Sequence, residues 1–354
     1  MRIVVSAGGS GGHIYPAIAL IKKIKKENPQ AEILFIGREK GMEKKLIDNM
    51  GIPFFAIKSY WYDETKWYRN IRIVTSFIKN YFILRKKMRA FQPTAVIGFG
   101  GHVTTSVIFV ASRMKIATYV HEQNQILGRA NAFLSRYVNA VLLSYEETQG
   151  VPAKVKTIFT GNPVAENAQD VKAINKKELG LSSRKKLVVI MMGSQGAAKV
   201  HDYLMQHLNK LSLTNFQVLY VTGPRHFHSS YSKKFSKDIV VKSYIDELVR
   251  VMKKADLVVS RAGATTISEL IALRKPAILI PSPYVPQNHQ FYNAKYLFEK
   301  EAAVLLEEQE ISKLVTKIEE IMADEQWRQT MIDNLSAIDV AKSARLVYDI
   351  LKKS

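Results

Sequence analysis

The sequence contains no cysteine, so neither disulfide bonds nor thiolate-bound metals occur in this chain. Its apolar residues nowhere form a run close to the roughly 18 residues that a membrane-spanning helix needs. The chain starts directly with a strand-like segment, without the apolar core and cleavage site of a signal peptide. These absences predict a protein that is made and kept in the cytosol, unless something holds it to a surface.

Acidic residues are scarce: 31 Asp and Glu stand against 52 Lys and Arg, a formal charge of +21. Such a surplus predicts a polyanionic partner, either nucleic acid or an anionic membrane surface. No nucleic-acid recognition motif occurs, so we expect no nucleic-acid partner. No Asp-x-Asp pair is present to hold a metal on a nucleoside diphosphate, and no Walker lysine follows a glycine loop. We therefore expect no metal, no cofactor and no ATP hydrolysis.

With 354 residues, of which 47% are apolar, the chain is long enough for two domains. Short apolar runs alternate with helical stretches throughout, which predicts parallel sheets with helices on both faces. The pattern pauses near 161–163 and then resumes, so we place the domain boundary there. The runs that predict strands are 3–7, 33–37, 95–99, 117–121 and 140–144, then 187–192, 218–222, 239–244, 257–260, 277–281 and 304–306.

Two glycine-bearing loops occupy strand–helix junctions in opposite halves of the chain. The first is Gly8–His13 and the second is Gly193–Ala197. Such a loop exposes backbone N–H groups at a helix N-terminus and makes an anion site, although many glycine-rich turns are only tight turns. Ser194 is placed either to bond a phosphate oxygen or to cap the helix. His13 is placed to act as a base, or to cap or pack against its helix.

Three further stretches carry polar side chains at strand ends or helix starts. In His121–Asn124, Glu122 is a candidate general base and Asn124 a candidate for orienting a sugar hydroxyl; the other interpretation is a local network that supports the turn. Glu269 stands about one turn into a helix, where a carboxylate receives both hydroxyls of a ribose or compensates the helix dipole. Gln287–Gln290 opens the next helix with amides of the kind that sugar hydroxyls need.

The segment 66–89 contains eight Lys and Arg and no acidic residue. Its apolar residues recur at helical spacing, which predicts a basic amphipathic helix that lies on an anionic lipid surface, or else a core-facing stripe with a solvated basic back. The nearby tryptophans favour the membrane interpretation. The residues assigned to this surface are Trp67, Ile71, Phe77, Phe82, Arg85, Lys86 and Lys87.

Taken together and in this order, these motifs resemble those of the MurG family of peptidoglycan glycosyltransferases, over essentially the whole chain. The matching segments are 8–13 (first glycine loop), 121–124 (His-Glu-Gln-Asn), 161–163 (hinge), 194–196 (last glycine loop) and 264–269 (donor-site helix). That family transfers N-acetylglucosamine from UDP-N-acetylglucosamine to undecaprenyl-pyrophosphoryl-N-acetylmuramoyl-pentapeptide. The resemblance therefore implies these two substrates and a peripheral position on the cytoplasmic side of the cell membrane.

The resemblance also implies a GT-B fold: an α/β protein with two Rossmann-like parallel-sheet domains facing each other across a cleft. Residues 1–162, with a C-terminal helix at about 338–354, would form the acceptor and membrane-associated domain. Residues 163–337 would bind the UDP-sugar. Carried over by position, the UDP-N-acetylglucosamine contacts are Ser10, Gly11, Gly12, Asn124, Ser194, the Ile245 backbone, Ala264, Thr265, Glu269 and Gln290, and the acceptor pyrophosphate contacts are Gly100, Gly101 and His102.

The chain departs from the family's pattern at three points. Ala165 replaces the arginine that often follows the hinge proline, and Met192 replaces the first glycine of the last loop. In the middle loop, His102 stands where the family usually has Tyr, and Thr104 and Thr105 stand where it usually has Ser-Gly. These departures bear on how the phosphates of the two substrates are held.

The resemblance implies a single inverting displacement in which a base deprotonates the 4-hydroxyl of muramic acid and UDP leaves. We expect His13 to be this base, with Glu122 as the second candidate, because an imidazole titrates near about 6.5. Three other functions stay open from the sequence: a diacylglycerol glycosyltransferase of the same fold, a UDP-N-acetylglucosamine 2-epimerase, and a non-enzymatic basic binding protein.

Overall fold

The computed structural model of the protein describes residues 1–60, 71–193, 196–213, 215–340 and 342–354. The described chain divides into two compact units. Unit 1 comprises Met1–Glu166 together with Lys342–Ser354, and unit 2 comprises Asn167–Ala341. The chain therefore passes from unit 1 to unit 2 and returns for its last residues.

Unit 1 is built on a seven-stranded sheet in which every pair of neighbouring strands is parallel. The order across the sheet is β3-β2-β1-β4-β5-β6-β7. The strands are β1 (Arg2–Ser6), β2 (Glu32–Arg38), β3 (Phe54–Ile57), β4 (Ala95–Gly98), β5 (Ala117–Glu122), β6 (Ala140–Leu143) and β7 (Thr157–Phe159).

Helices cover both faces of this sheet, which is why its strands are apolar at successive positions. Ile3 and Val5 face one core, to which α1 and α14 contribute, whereas Val4 faces the other core, to which α3 and α4 contribute. The helices are α1 (Gly11–Glu27), α2 (Met42–Asp48), α3 (Ile71–Phe91), α4 (His102–Arg113), α5 (Arg129–Leu134), α6 (Pro163–Asp170) and α14 (Ser343–Lys352); α6 runs across the unit boundary.

Unit 2 repeats the design with a six-stranded parallel sheet of order β10-β9-β8-β11-β12-β13. Its strands are β8 (Lys186–Met191), β9 (Phe216–Val221), β10 (Ile239–Lys242), β11 (Leu257–Ser260), β12 (Ala277–Leu279) and β13 (Val304–Leu305). Its helices are α7 (Ala198–His207), α8 (Tyr231–Lys234), α9 (Leu248–Met252), α10 (Ala264–Leu273), α11 (His289–Glu299), α12 (Leu314–Ala323) and α13 (Glu325–Ser336). Short 3-10 helices occupy Lys176–Leu179, Leu208–Leu213, Pro286–Asn288 and Glu308–Lys313.

A group of ion pairs fastens the returning chain to unit 1. The Glu166 carboxylate accepts from the backbone N–H of Arg345 at 2.8 Å and pairs with Lys23 Nζ at 2.8 Å. Lys23 also pairs with Glu27, which in turn accepts from Arg345 Nη1 at 2.6 Å. The last helix, α14, is thus held against α1 beside the residue at which the chain leaves the unit.

The two parallel sheets confirm the predicted α/β class. Differences from the sequence prediction are confined to short or polar elements. The edge strands β3 and β7 were not expected, and neither was α6, which begins where the pattern pauses near 161–163. In the structure Val164 and Ala165 are buried, which gives that segment an apolar side.

Candidate functional site

Both sheets have a topological switch point, where strand order reverses and where open α/β sheets bind ligands beyond the carboxyl ends of the strands. In unit 1 it lies between β1 and β4, and in unit 2 between β8 and β11. The residues between these four strands and the helices that follow them are 7–10, 99–101, 192–197 and 261–263. The two predicted glycine-bearing loops, Gly8–His13 and Gly193–Ala197, therefore each follow a strand that borders the switch point of their own unit.

The first glycine loop leads into α1 and leaves the helix N-terminus uncapped by any side chain. Ser10 is the N-cap residue with extended backbone, is exposed, and makes no side-chain capping bond. Gly11 and Gly12 form the first turn of the helix. His13 lies half-buried in the same turn, with Nδ1 at 3.0 Å from the carbonyl oxygen of Gly8. Because a carbonyl oxygen only accepts, Nδ1 carries the proton in this contact and Nε2 is the basic nitrogen.

The middle glycine loop interlocks with the first. The Gly8 N–H donates to the Gly100 carbonyl at 3.3 Å, and a Cβ on Gly100 would lie 2.9 Å from His13 Nε2. Gly100 and Gly101 have φ of 107° and 86°, which side chains rarely allow. Glycine is required here because the imidazole of His13 packs directly on the loop.

His102 opens α4 beside these loops. Burial lowers its pKa, and the positive charges of Arg38 and His13 lower it further. The three predicted acceptor-pyrophosphate residues, Gly100, Gly101 and His102, are therefore consecutive at a helix N-terminus that has no side-chain cap. The positive charge of Arg38 nearby favours an anion at this helix N-terminus.

The stretch His121–Asn124 forms a compact hydrogen-bond network at the end of β5. Glu122 is 1% exposed, and both of its oxygens are engaged. Oε1 accepts from the backbone and side-chain nitrogens of Asn124, and Oε2 from Gly128 N and Asn131 Nδ2, at 2.8–3.1 Å. Four donors saturate a carboxylate, so Glu122 holds this loop and presents no free lone pair to a substrate hydroxyl.

His121 is fully buried in the same network, where it serves as an internal link. Its Nε2 donates to the Gly161 carbonyl at 2.9 Å, and its Nδ1 accepts from Gln123 at 3.1 Å. Burial lowers its pKa to about 4, so the ring is neutral at physiological pH. Of the four residues in this stretch, Asn124 alone is half-exposed and accessible to a ligand.

In unit 2, the carboxylate of Glu269 stands out. The side chain is half-buried on α10, and the described residues offer it no hydrogen bond or ion pair. Burial raises its pKa to about 7. Four residues earlier, Thr265 Oγ1 is also buried without a partner within the described structure, next to buried Ala264 at the start of the helix. Unsatisfied polar groups of this kind mark a ligand site.

Ile245, on the connection between β10 and α9, and Gln290, the second residue of α11, each lie within three residues of left-handed backbone. Half-buried Ile245 precedes Glu247, whose φ is 49°, and Gln290 follows Gln287 and Asn288, with φ of 55° and 49°. Left-handed conformations at non-glycine residues cluster at functional sites. Gln290 Oε1 accepts from Ser282 N at 2.9 Å, which fixes the amide and directs its nitrogen outward from that contact.

The last glycine loop follows β8. Ser194 lies outside the described residues, so its predicted phosphate contact stays a prediction. Met192, which departs from the family pattern, is 2% exposed and packs into the core of unit 2. The flanking Gly193 and Gly196 have φ of 74° and 71°.

A histidine pair that the sequence did not single out lies against this loop. A Cβ on Gly196 would lie 2.7 Å from His226 Nε2, so the His226 imidazole rests on the loop. His201 stacks behind it with ring centroids 4.9 Å apart and bonds Tyr220 OH through Nδ1 at 2.9 Å. Burial, and then the charge of His226, lower the pKa of His201. No local sequence signal marks His226, because the turn after β9 brings it to the loop.

Helix α3 has a buried side and a side that exposes large apolar residues. Its inward side buries Asn80, Leu84 and Met88, which recur every fourth residue. The opposite side leaves Ile71 56% exposed and Phe82 65% exposed. The remaining large apolar residues on that side are Val74, Ile78 and Ile83.

The other predicted surface residues divide between exposed and packed positions. Phe77 is half-buried and heads an aromatic row that continues through Phe109, Tyr137 and Phe133 at centroid distances of 5.3–5.5 Å. Lys86 is exposed. Arg85 and Lys87 are half-buried, the latter with its ammonium 5.3 Å from the Phe55 ring. Trp67 lies outside the described residues.

Within the described ranges, no helix is long and apolar enough to cross a membrane. The same residues contain no cluster of three or more His, Asp or Glu side chains placed to hold a metal ion.

Comparison with known proteins identifies both halves of the chain. Residues 3–143 match the glycosyltransferase family 28 N-terminal domain, and residues 187–347 match the glycosyltransferase family 28 C-terminal domain. The chain is 40% identical, over its whole length and 98% of the relative, to the UDP-N-acetylglucosamine–N-acetylmuramyl-(pentapeptide) pyrophosphoryl-undecaprenol N-acetylglucosamine transferase of Bacillus licheniformis. The transferase of that name from Bacillus subtilis is 39% identical over 99% of its length. The chain belongs to this family, the MurG group of family 28.

Solved structures agree in fold. The crystal structure of Acinetobacter baumannii MurG superposes with a TM-score of 0.79 at 22% identity, and the match covers 100% of this chain and 99% of that one. The resemblance to the MurG family and the GT-B fold are therefore confirmed. A putative UDP-N-acetylglucosamine 2-epimerase from Listeria monocytogenes shares the fold, with a TM-score of 0.71 at 10% identity, covering 99% of this chain and 96% of that one.

Proposed function

We propose that this chain transfers N-acetylglucosamine from UDP-N-acetylglucosamine to the 4-hydroxyl of undecaprenyl-pyrophosphoryl-N-acetylmuramoyl-pentapeptide, the step from lipid I to lipid II in peptidoglycan synthesis. The observation that carries the proposal is full-length identity of 39–40% to transferases named for these two substrates. Loops suited to anions at both switch points support it, because each substrate carries a diphosphate.

Unit 2 binds the donor in this proposal. The unpartnered carboxylate of Glu269 receives the two ribose hydroxyls, and the N-terminus of α10, with Ala264 and Thr265, faces the nucleotide. Gln290 binds hydroxyls of N-acetylglucosamine, the Ile245 backbone binds uracil, and Ser194 contacts phosphate. From unit 1, Ser10, Gly11, Gly12 and Asn124 contact the sugar end of the donor.

His13 is the general base. Its Nδ1 contact with Gly8 fixes the ring and leaves Nε2 as the nitrogen that accepts the proton of the attacking hydroxyl. The hydroxyl oxygen bonds to the anomeric carbon on the face opposite UDP, and the diphosphate departs with the bonding electrons. Helix N-termini and loop N–H groups stabilise the charge that develops on this leaving group. Glu122, saturated by four donors, positions Asn124 and takes no proton.

The exposed side of α3 rests on the membrane that holds the lipid-linked acceptor. Ile71, Ile78 and Phe82 would insert among the lipid head groups, because exposing so much apolar side chain to water is unfavourable. The helix carries six Lys and Arg and no acid, so an anionic leaflet attracts it by about 1 kcal/mol per nearby cation. In this proposal the protein is peripheral, on the cytoplasmic side of the cell membrane.

The test of the proposed reaction is transfer of radiolabelled N-acetylglucosamine from the UDP-sugar to the lipid-linked muramoyl-pentapeptide. Transfer to diacylglycerol instead, or conversion of UDP-N-acetylglucosamine without any acceptor, would contradict the proposal and indicate one of the two related enzymes. Nucleic-acid binding without turnover would indicate a binding protein. His13→Ala is expected to reduce kcat at saturating substrates by about 100-fold or more, the usual contribution of a general base. Near-normal turnover would remove His13 from this role.

Vesicle flotation tests the membrane surface. Phe82→Ser is expected to weaken flotation with anionic vesicles while leaving transfer to a detergent-solubilised acceptor unchanged. Phe298→Ser is the matched control, because Phe298 is a comparably exposed aromatic, at 53%, on unit 2. Equal losses of flotation in the two variants would show general hydrophobicity and not a specific surface.

A further inference from the structure

A carboxylate lies completely buried beneath the first glycine loop, and the proposed reaction does not use it. Glu43, in the first turn of α2, is 0% exposed. Glycines make room for it: a Cβ on Gly8 would lie 3.1 Å from Glu43 Oε1, and a Cβ on Gly37 would lie 2.9 Å from Glu43 Cγ. Gly41 also packs against this carboxylate. Burying a charge is unfavourable unless it is paired, so this arrangement needs a reason.

The partner of Glu43 is Arg38, the last residue of β2. Glu43 Oε1 accepts from Arg38 N at 2.9 Å and from Arg38 Nε at 3.4 Å. Oε2 is buried and has no partner within the described structure. The Glu43 carboxylate therefore accepts hydrogen bonds from the backbone N–H and from Nε of Arg38. Both Nη groups of Arg38 donate no hydrogen bond to any described residue, and the side chain is 23% exposed.

The guanidinium group of Arg38 lies close to the switch point of unit 1. β2 neighbours β1, so Arg38 stands beside the first glycine loop, and its Cγ would be 3.6 Å from a Cβ on Gly8. The charge of Arg38 acts on His102, as does that of His13. Arg38, the imidazoles of His13 and His102, and two uncapped helix N-termini thus lie close together, while the buried carboxylate of Glu43 lies behind the loop, away from solvent.

We propose that Arg38 binds the diphosphate of the lipid-linked acceptor through its Nη groups, and that Glu43 is the positioning residue that aims it. A guanidinium matches phosphate oxygens with two parallel N–H donors, a geometry that lysine cannot reproduce. Holding Nε and the backbone in advance reduces the conformational entropy lost on binding. The inference rests on the proposed function for the identity of the acceptor, but the anion site itself does not depend on it.

The first experiment separates the two substrates. Arg38→Ala is expected to raise the KM for the acceptor in detergent micelles by about 10- to 100-fold, the effect of losing charge-assisted hydrogen bonds to phosphate. The KM for UDP-N-acetylglucosamine is expected to stay within about twofold of the parent value. Lys40→Ala is the matched control, because Lys40 carries the same charge, two residues away, on an exposed position. A raised donor KM, or an equal effect of Lys40→Ala, would overturn the assignment.

The second experiment tests whether Glu43 acts through Arg38. Glu43→Gln keeps an oxygen for the Arg38 N–H but removes the charge, so we expect a smaller rise in acceptor KM, about 3- to 10-fold, with kcat unchanged. In the Arg38→Ala background the same substitution is expected to have no further effect on KM. A purely structural role for Glu43 would persist in that background and would refute the positioning role.

Binding of inorganic pyrophosphate, measured by calorimetry, distinguishes failure of this inference from failure of the proposed function. If the parent protein does not use the lipid-linked acceptor, the proposed function fails, yet pyrophosphate still probes the site. We expect the parent and Lys40→Ala to bind pyrophosphate and Arg38→Ala to bind it at least about tenfold more weakly. Equal affinity of the parent and Arg38→Ala would refute the Arg38 site, whichever acceptor the enzyme uses.

Discussion

In the protein without bound donor, ionisation of the Glu269 carboxylate lowers the free energy of unfolding. Burial raises its pKa from the ordinary 4.5 to about 7, and the described residues provide no donor in return. At 1.36 kcal/mol per pKa unit, this difference corresponds to up to about 3 kcal/mol of stability that is lost when the group ionises. The site therefore predicts a conflict between stability and donor binding.

The sign of the pH dependence follows from proton binding. Between pH 4.5 and about pH 7, the folded protein holds the Glu269 proton more tightly than the unfolded chain does. Stability of unit 2 should fall as pH rises through this window and stay low above it. Glu269→Gln removes the ionisation, so the variant should be more stable than the parent by up to about 3 kcal/mol above pH 7, with no gain below pH 4.5. Urea unfolding followed by circular dichroism measures both.

Donor affinity should depend on pH in the opposite sense to stability: it should increase as pH rises. If the ionised carboxylate receives the ribose hydroxyls, the dissociation constant of UDP-N-acetylglucosamine should rise about tenfold from pH 8 to pH 6, as the group protonates with a pKa of about 7. Glu269→Gln should bind the donor more weakly and without this pH dependence. Calorimetry with the UDP-sugar is preferable to calorimetry with UDP, because a diphosphate diester has no ionisation near neutral pH.

One control variant and two possible results test this role of Glu269. Glu299→Gln alters an exposed glutamate of the same unit and should change neither stability nor donor affinity. If Glu269→Gln is no more stable than the parent above pH 7, the carboxylate is not desolvated. If donor affinity does not vary between pH 6 and pH 8, the ribose is held by another group.

Other substitutions test other parts of the molecule. Gly196→Ala should weaken UDP-N-acetylglucosamine binding in calorimetry by about tenfold, because its Cβ would meet His226 at 2.7 Å and its φ is 71°. Leu84→Ala, in the core, should cost about 2–5 kcal/mol in urea unfolding, whereas exposed Ile78→Ala should change stability by less than about 0.5 kcal/mol. His121 has a lowered pKa, so the parent should lose up to about 3 kcal/mol as pH falls from 6.5 towards 4. His121→Gln should lose less over the same range.

The sequence predicts those strands and helices whose buried positions are marked by runs of apolar residues. Runs such as Leu187–Ile190 are apolar because helices cover both faces of the sheet. The edge strands β3 and β7 have four and three residues, too few to show a pattern. Helix α6 escaped prediction because the contacts of Glu166 with Lys23 and with α14 are made across distant parts of the chain.

In the candidate site, too, some features could be predicted from the sequence and others could not. Glycine loops at strand ends are visible in the sequence because the left-handed backbone at Gly100 and Gly196 demands glycine. The sequence does not show how a carboxylate is hydrogen-bonded in the folded protein. Glu122 accepts hydrogen bonds from four donors, whereas Glu269 has no donor among the described residues, although both are glutamates near strand or helix ends. Arg38 was overlooked because its partner Glu43 reaches it from another element.

The return of α14 to unit 1 has a consequence for biosynthesis on the ribosome. Val347, Tyr348 and Leu351 belong to the same buried core as Leu20, Ile21 and Ile24 of α1. These three residues are translated after the whole of unit 2, and chains are made at about 5–20 residues per second. For some tens of seconds the nascent chain therefore exposes the α1 surface that α14 will cover. Unit 2, whose residues are contiguous, is free to fold first although it is encoded second.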